Sequence, residues 1–147
     1  ITDSAISVVV GTTINNKVQN LLRTTQESML AGIETLHDGV QVGTISNAIE
    51  TVLKKQRLGI VRDLVGHGVG HELHEEPNIP NYGKRQTGMV LKEGMTIAIE
   101  PMATLGTDSV HTAGDDWTIR TNDGSLSAHF EHTILITKDG YEILTIM

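Results

Sequence analysis

The chain has 147 residues, 38% of them hydrophobic, enough for one core that buries roughly 70% of the surface of the extended chain. Its 18 acidic residues against 11 basic ones give a net charge of -7, without a polyelectrolyte run, so nucleic acid is not an expected partner. The absence of cysteine excludes disulfides, thiolate metal sites and thiol nucleophiles, and no apolar run approaches the ~18 residues of a spanning helix; no membrane association and a cytoplasmic location are the expectations.

In chain order, Ile6 to Val10 is an apolar, β-branched run stopped by Gly11, which predicts a buried strand. From Asn16 to about Leu36 the residues Val18, Leu21, Leu22, Met29, Ile33 and Leu36 recur mostly three or four apart, the stripe of an amphipathic helix that Gly39 ends. Thr44 is the predicted cap of a second helix running through Leu53, with Ile45, Ala48 and Ile49 inward and Gly59 as its stop. Ile60 to Val65 reads as a strand, followed by a glycine-broken loop at Gly66, Gly68 and Gly70. Residues 77 to 94 have turn composition, and Met95 to Ile99 form a strand stopped by Pro101. Three further strands are predicted at Trp117 to Thr121, His129 to Thr137 and Tyr141 to Ile146, the last two joined by the turn Lys138-Asp139-Gly140. Two helices followed by several strands give an α+β class.

The chemistry concentrates in a few of these segments. All histidines but His37 fall between His67 and His132, and imidazole with carboxylate suits manganese, iron, cobalt or zinc better than soft metals. The run Gly66-His67-Gly68-Val69-Gly70-His71-Glu72-Leu73-His74-Glu75-Glu76-Pro77 holds three histidines. Its glycines forbid the helix that a His-x-x-x-His zinc motif needs, and His71 reads as an exposed polar side chain. Glu100 ends one apolar strand and Glu131 opens another; a carboxylate in such a position is paired, hydrogen-bonded or bound to a metal, because burying it alone is costly. Asp3 precedes the first predicted strand. One Asp, one His and two Glu at the ends of separate strands would form an oxygen-rich cluster able to hold a divalent cation.

Taken in order, Thr2-Asp3-Ser4-Ala5, Gly66-His67-Gly68-Val69-Gly70, His74-Glu75-Glu76-Pro77 with Pro80-Asn81-Tyr82, Glu100-Pro101-Met102 and Ser125-Leu126-Ser127-Ala128 to Glu131-His132-Thr133 resemble the type I methionine aminopeptidases over nearly the whole chain. The resemblance implies the pita-bread fold, of which residues 1–147 would be the second half plus one strand of the first, a partial catalytic domain with an upstream segment missing. It implies two divalent metal ions in the complete enzyme, bridged by Asp3 and Glu131, with His67 and Glu100 completing the first ion's shell. His74 would contact the scissile peptide group, and Glu100 would also handle the proton of the attacking water. Leu73, Trp117 and His129 match positions near the substrate pocket. The expected substrate is the N-terminal methionine of nascent peptides followed by a small residue, with the ribosome as a candidate partner. The family has a further aspartate about a dozen residues before Asp3 and a histidine upstream of it. Within residues 1–147 the second ion is therefore expected to have only its two bridging carboxylates.

Two other readings stand beside this one. Proline-specific peptidases share the fold and ligand pattern, although His74 to Pro77 with Asn81-Tyr82 favours the methionine enzymes and no long insertion between Glu100 and Glu131 suggests the type II group. Some pita-bread proteins have lost their metals and only bind, against which stands the presence of every ligand the chain is long enough to contain.

Overall fold

The computed structural model describes residues 1–11 and 15–146. Helix α1 (Asn16–Ile33) starts where the Asn15 side chain accepts a hydrogen bond from the Val18 N–H at 2.9 Å, taking up one of the donors that a helix leaves unpaired at its first turn. Helix α2 (Val42–Lys55) begins earlier than Thr44 and has no side-chain cap. Loop carbonyls take that role: Val42 N–H donates to Met89 O at 3.0 Å and Gly43 N–H to Thr87 O at 2.8 Å. Thr44 thus lies inside the first turn, because a distant loop supplies what a local cap would have supplied.

Among the described residues ten short strands follow α2: β1 (Gly59–Ile60), β2 (Gly66–Gly68), β3 (Glu75–Ile79), β4 (Thr96–Ile99), β5 (Met102–Thr104), β6 (Val110–Thr112), β7 (Ile119–Thr121), β8 (Ser127–His129), β9 (His132–Thr137) and β10 (Gly140–Ile143). They form a five-stranded antiparallel sheet in the order β10-β9-β4-β2-β3, a three-stranded sheet β1-β5-β8 and the hairpin β6-β7. Both helices pack on the sheets, α1 against β4, β5 and β8 and α2 against β1 and β3. Leu21, Met29, Ile33, Ile45, Ile49 and Leu53 from the helices meet Ile79, Ile97, Ile99, Ile134 and Ile136 from the large sheet in one fully buried cluster.

The structure departs from the sequence expectations in ways that matter for the site. Gly66 to Gly68 is a strand in the interior of the large sheet, not a loop. Its glycines are there because its neighbours come close: a Cβ on Gly66 would collide with the Ala98 carbonyl oxygen, and one on Gly68 with that of Glu76. Strand β3 runs into the segment expected as turn from residue 77 and contains Pro77; it is an edge strand, where a missing N–H breaks no ladder.

The expected strand Ile6 to Val10 is an extended segment with a single bridge, Ala5 to Glu131. It docks through alternate residues. Thr133 Oγ1 accepts from the Asp3 N–H and donates to the Asp3 carbonyl, both at 2.8 Å, while Ser7 Oγ accepts from the His129 N–H and donates to the His129 carbonyl, both at 2.9 Å. Side-chain hydroxyls replace the ladder on either side of the bridge. Ile6, Val8 and Val10 therefore face outward, at 75%, 70% and 95% exposure.

The predicted strand His129 to Thr137 is also interrupted, with β8 in the small sheet and β9 in the large one. Its partner does the same, β4 lying in the large sheet and β5 in the small one. The register Ile99 to His132 in one sheet and Met102 to His129 in the other is continuous, so the two pairs are one antiparallel ribbon that crosses between sheets. That register sets Glu100 opposite Glu131 at the crossing.

Candidate metal centre

The crossing of that ribbon explains how two carboxylates come to be buried side by side. Residues directly opposite in an antiparallel pair hold their side chains within about 5.5 Å, and like charges there repel. The Glu131 carboxyl responds: burial first, then the charges of Glu100 and Asp3, push it from its ordinary value of 4.5 up to about 7, against a smaller opposite effect of His129. Glu131 is only 4% exposed, and its Oε1 is buried with no hydrogen-bond partner among the described residues.

Strand β2 adds the first histidine. The β2–β3 register shifts between Gly66 and Gly68, a bulge of the kind that re-aims a side chain, and His67 sits at it. The His67 Nδ1–H donates to the Gly68 carbonyl at 2.9 Å. With its proton there, the ring presents a lone pair at Nε2, and that atom lies 3.3 Å from Glu100 Oε1. Two electron-rich atoms facing each other in a buried site suit a shared cation between them. His129, from the end of β8, brings its Nε2 to 3.3 Å from the other oxygen, Glu100 Oε2. That nitrogen is also buried and unpartnered, since the contact lacks the alignment of a hydrogen bond.

Ligand atoms of Asp3, His67 and Glu131 lie within 4.8 Å of one another, and so do those of Glu100, His129 and Glu131. The donors fit a divalent cation: oxygen and neutral imidazole nitrogen, an orphaned buried carboxylate oxygen, and a histidine whose second nitrogen is anchored by a backbone carbonyl.

Next to this cluster lies a pocket of ≈ 380 Å³, walled by Val61, Leu64, Val65, Met102 and Ile119 and reaching His74, Glu100 and His129. The His74 ring leans on that of His67, centroids 4.2 Å apart and planes tilted by 58°. Of the four residues expected near substrate, His74 and His129 line this pocket, whereas Leu73 is 41% exposed and Trp117, on the turn of the β6-β7 hairpin, is 86% exposed. His71 is exposed, as expected.

Three supporting residues escaped the sequence reading. Asn81 is fully buried and its Nδ2 donates to the Glu100 carbonyl at 3.2 Å, fixing the backbone that carries the carboxylate. Thr133 and Ser7 hold the segment bearing Asp3 in place. Asn81 and Thr133 stood within motifs of the resemblance, without a role; nothing local marks Ser7, whose partner His129 is distant in the chain.

Buried carboxylates and imidazoles at a seam between two sheets, with an apolar pocket beside them, define a protein that assembles a cation site from strand ends. The chain belongs to metallopeptidase family M24, whose profile matches residues 1–138. It is 48% identical to a methionine aminopeptidase of Mycoplasma capricolum over 97% of this chain and 57% of that protein. The crystal structure of methionine aminopeptidase from Thermotoga maritima superimposes with a TM-score of 0.96 at 46% identity, covering 99% of this chain and 58% of that one. Prolidase from Pyrococcus furiosus gives a TM-score of 0.74 at 27% identity over 99% of this chain and 37% of that one. The architecture is the pita-bread fold common to these neighbours, and the chain spans about half the length of the methionine aminopeptidases it matches.

Proposed function

We propose that this chain carries the metal-holding part of a methionine aminopeptidase, which removes the N-terminal methionine of new polypeptides when the next residue is small. The observation that carries the reading is the orphaned Glu131 oxygen within a ring of Asp3, His67, Glu100 and His129, beside an apolar pocket. The similarity to methionine aminopeptidases, higher than that to the prolidase, supports the substrate.

Asp3, His67, Glu100 and Glu131 are the ligands in this proposal, for two ions of cobalt, manganese, iron or zinc in the complete enzyme. Divalent cations in such a site supply Lewis acidity towards a peptide carbonyl and lower the pKa of water. The chain's own groups do the rest. Glu100, held through its carbonyl by Asn81, is the base that takes the proton of the attacking water and returns it to the departing amine. His74, which lines the pocket, is the group proposed to contact the scissile peptide and stabilise the charge that develops on its carbonyl. The apolar wall of Val61, Leu64, Val65 and Met102 receives an uncharged thioether side chain, and the ≈ 380 Å³ of the pocket limits what else enters. A cytoplasmic location and the ribosome as a docking partner follow from the same proposal.

The test is release of methionine from a Met-Ala-Ser peptide against hydrolysis of an Ala-Pro dipeptide, by the polypeptide carrying this chain supplied with manganese or cobalt. Preferred cleavage of Ala-Pro, or no cleavage of either, overturns the proposal.

A further inference from the structure

We infer that Glu50 and Asn47 of α2 are positioning residues for Glu100: they grip Gly83 by its N–H and its carbonyl and so fix Asn81, whose amide holds the backbone of Glu100. The inference rests on the reading of Glu100 as the base of the proposed reaction and adds the groups that aim it.

Residues 80–83 leave the end of β3 beside α2. The Gly83 N–H donates to Glu50 Oε2 at 3.1 Å, and the Gly83 carbonyl accepts from Asn47 Nδ2 at 3.1 Å. Residues three apart on a helix are neighbours on its surface, so one face of α2 offers both an acceptor and a donor to a single residue of the loop. The approach is close: a Cβ on Gly83 would come within 3.1 Å of that of Ser46. Lys54 Nζ lies 2.6 Å from the other Glu50 oxygen. Burial alone would raise the Glu50 carboxyl, but Lys54, the Gly83 N–H and the charge of Arg62 together hold it below its ordinary value of 4.5. The loop therefore meets an anion, which makes the stronger hydrogen bond. Tyr82, the preceding residue, is held as well, its ring 4.3 Å from the Arg62 guanidinium, which also pairs with Asp108 at 3.3 Å.

Asn81 carries that hold into the site. It is fully buried, its Nδ2 donates to the Glu100 carbonyl at 3.2 Å, and its Oδ1 has no partner among the described residues. A buried amide left half-satisfied weakens a fold, so the one bond that Asn81 makes is better explained by what it holds than by stability. What it holds is Glu100, which lies between β4 and β5 and outside the ladder of either. A side chain from the gripped loop, not a strand partner, anchors that backbone.

The test reads the Glu100 carbonyl directly. In the 147-residue protein labelled with carbon-13, Glu50→Ala and Asn47→Ala should move the Glu100 carbonyl resonance in the same direction as Asn81→Ala, which removes the bond itself. Glu50→Gln keeps an acceptor for Gly83 and should leave the resonance near its wild-type position. In the polypeptide carrying this chain, supplied with manganese, Glu50→Ala should lose about 10-fold in kcat on a Met-Ala-Ser peptide with KM and bound metal unchanged, since misplacing a reacting group by about an ångström costs up to ~10²-fold. Glu50→Gln should recover most of that loss. Alanine suits a helix interior; circular dichroism checks each fold, and Asn47→Ala takes the place of Glu50→Ala if the latter is unfolded. Melting temperatures that fall in both Glu50 variants while kcat per folded molecule stays at the wild-type value would mark a purely structural role and overturn the inference. So would a Glu100 resonance unmoved in folded Glu50→Ala, and either result leaves the peptidase reading standing. Wild type that releases no methionine overturns both.

Discussion

Glu131 should make the metal-free protein lose stability as the pH rises, in the direction opposite to an ordinary salt-bridged carboxylate. Its carboxyl titrates at about 7 in the folded chain against 4.5 as an ordinary glutamate. Below 4.5 both states hold the proton and the group contributes nothing to the difference. Between 4.5 and 7 the unfolded chain has released its proton while the folded chain keeps it, so the unfolded state gains. At ~1.36 kcal/mol per pH unit, the loss accumulated by pH 7 is about 3 kcal/mol, a large part of the stability of a domain this size. Glu131→Gln carries no titrating group and removes this component while keeping the shape. Urea unfolding in the presence of a chelator, at about pH 4.5 and about pH 7, should show the wild type losing about 3 kcal/mol more than Glu131→Gln across that interval. Equal changes in the two proteins refute the argument that burial, with the charges of Glu100 and Asp3, holds the proton on Glu131. Adding manganese at pH 7 should restore the wild type far more than the variant, since a ligand that binds only the folded state stabilises it.

Three other outcomes follow from the site and its surroundings. His67→Ala should lose metal affinity and regain activity as metal is added, whereas His74→Ala should keep its metal and lose on the order of 10² to 10³ in kcat, measured by dialysis and steady-state kinetics; metal rescue of His74→Ala would make it a ligand. Gly68→Ala forces a Cβ onto the Glu76 carbonyl and displaces the carbonyl that anchors His67, so thermal unfolding should show a loss of about 1–3 kcal/mol together with weaker metal binding. An unchanged melt there would mean that β2 and β3 can part freely. Val8→Lys puts a charge on an outward-facing apolar row and should reduce aggregation in light scattering without lowering the melting temperature; a destabilised variant would show that Val8 is packed.

The two glutamates were legible in the sequence because a carboxylate adjoining an apolar strand has few inexpensive explanations, and α1 was legible because its stripe repeats over many residues. What sequence reasoning missed is decided at a distance. A glycine triplet reads as a breaker until two neighbouring strands press against it, as they do on Gly66 and Gly68. The interruption at Phe130 and Glu131 is invisible along the chain because only the exchange of sheets separates the two halves. Helix α2 starts before Thr44 because its first donors are met by Thr87 and Met89. The environment of His129 depends on Glu100 and Ser7, neither of which lies near it in sequence.

Asp3 and Glu131 come from opposite ends of the chain and are brought together by the docking of residues 3–7 against 129–133. During synthesis the first of these carboxylates leaves the ribosome long before the second exists, and a growing chain holds His67 and Glu100 without the residue that joins them. On the proposed ligand set a half-made chain would be a weak chelator. Closing so long a loop costs conformational entropy that only the finished sheet offsets, so capture of an ion and completion of the fold would become one event. Any hydrolytic activity the site supports would then appear only after the last strands are in place.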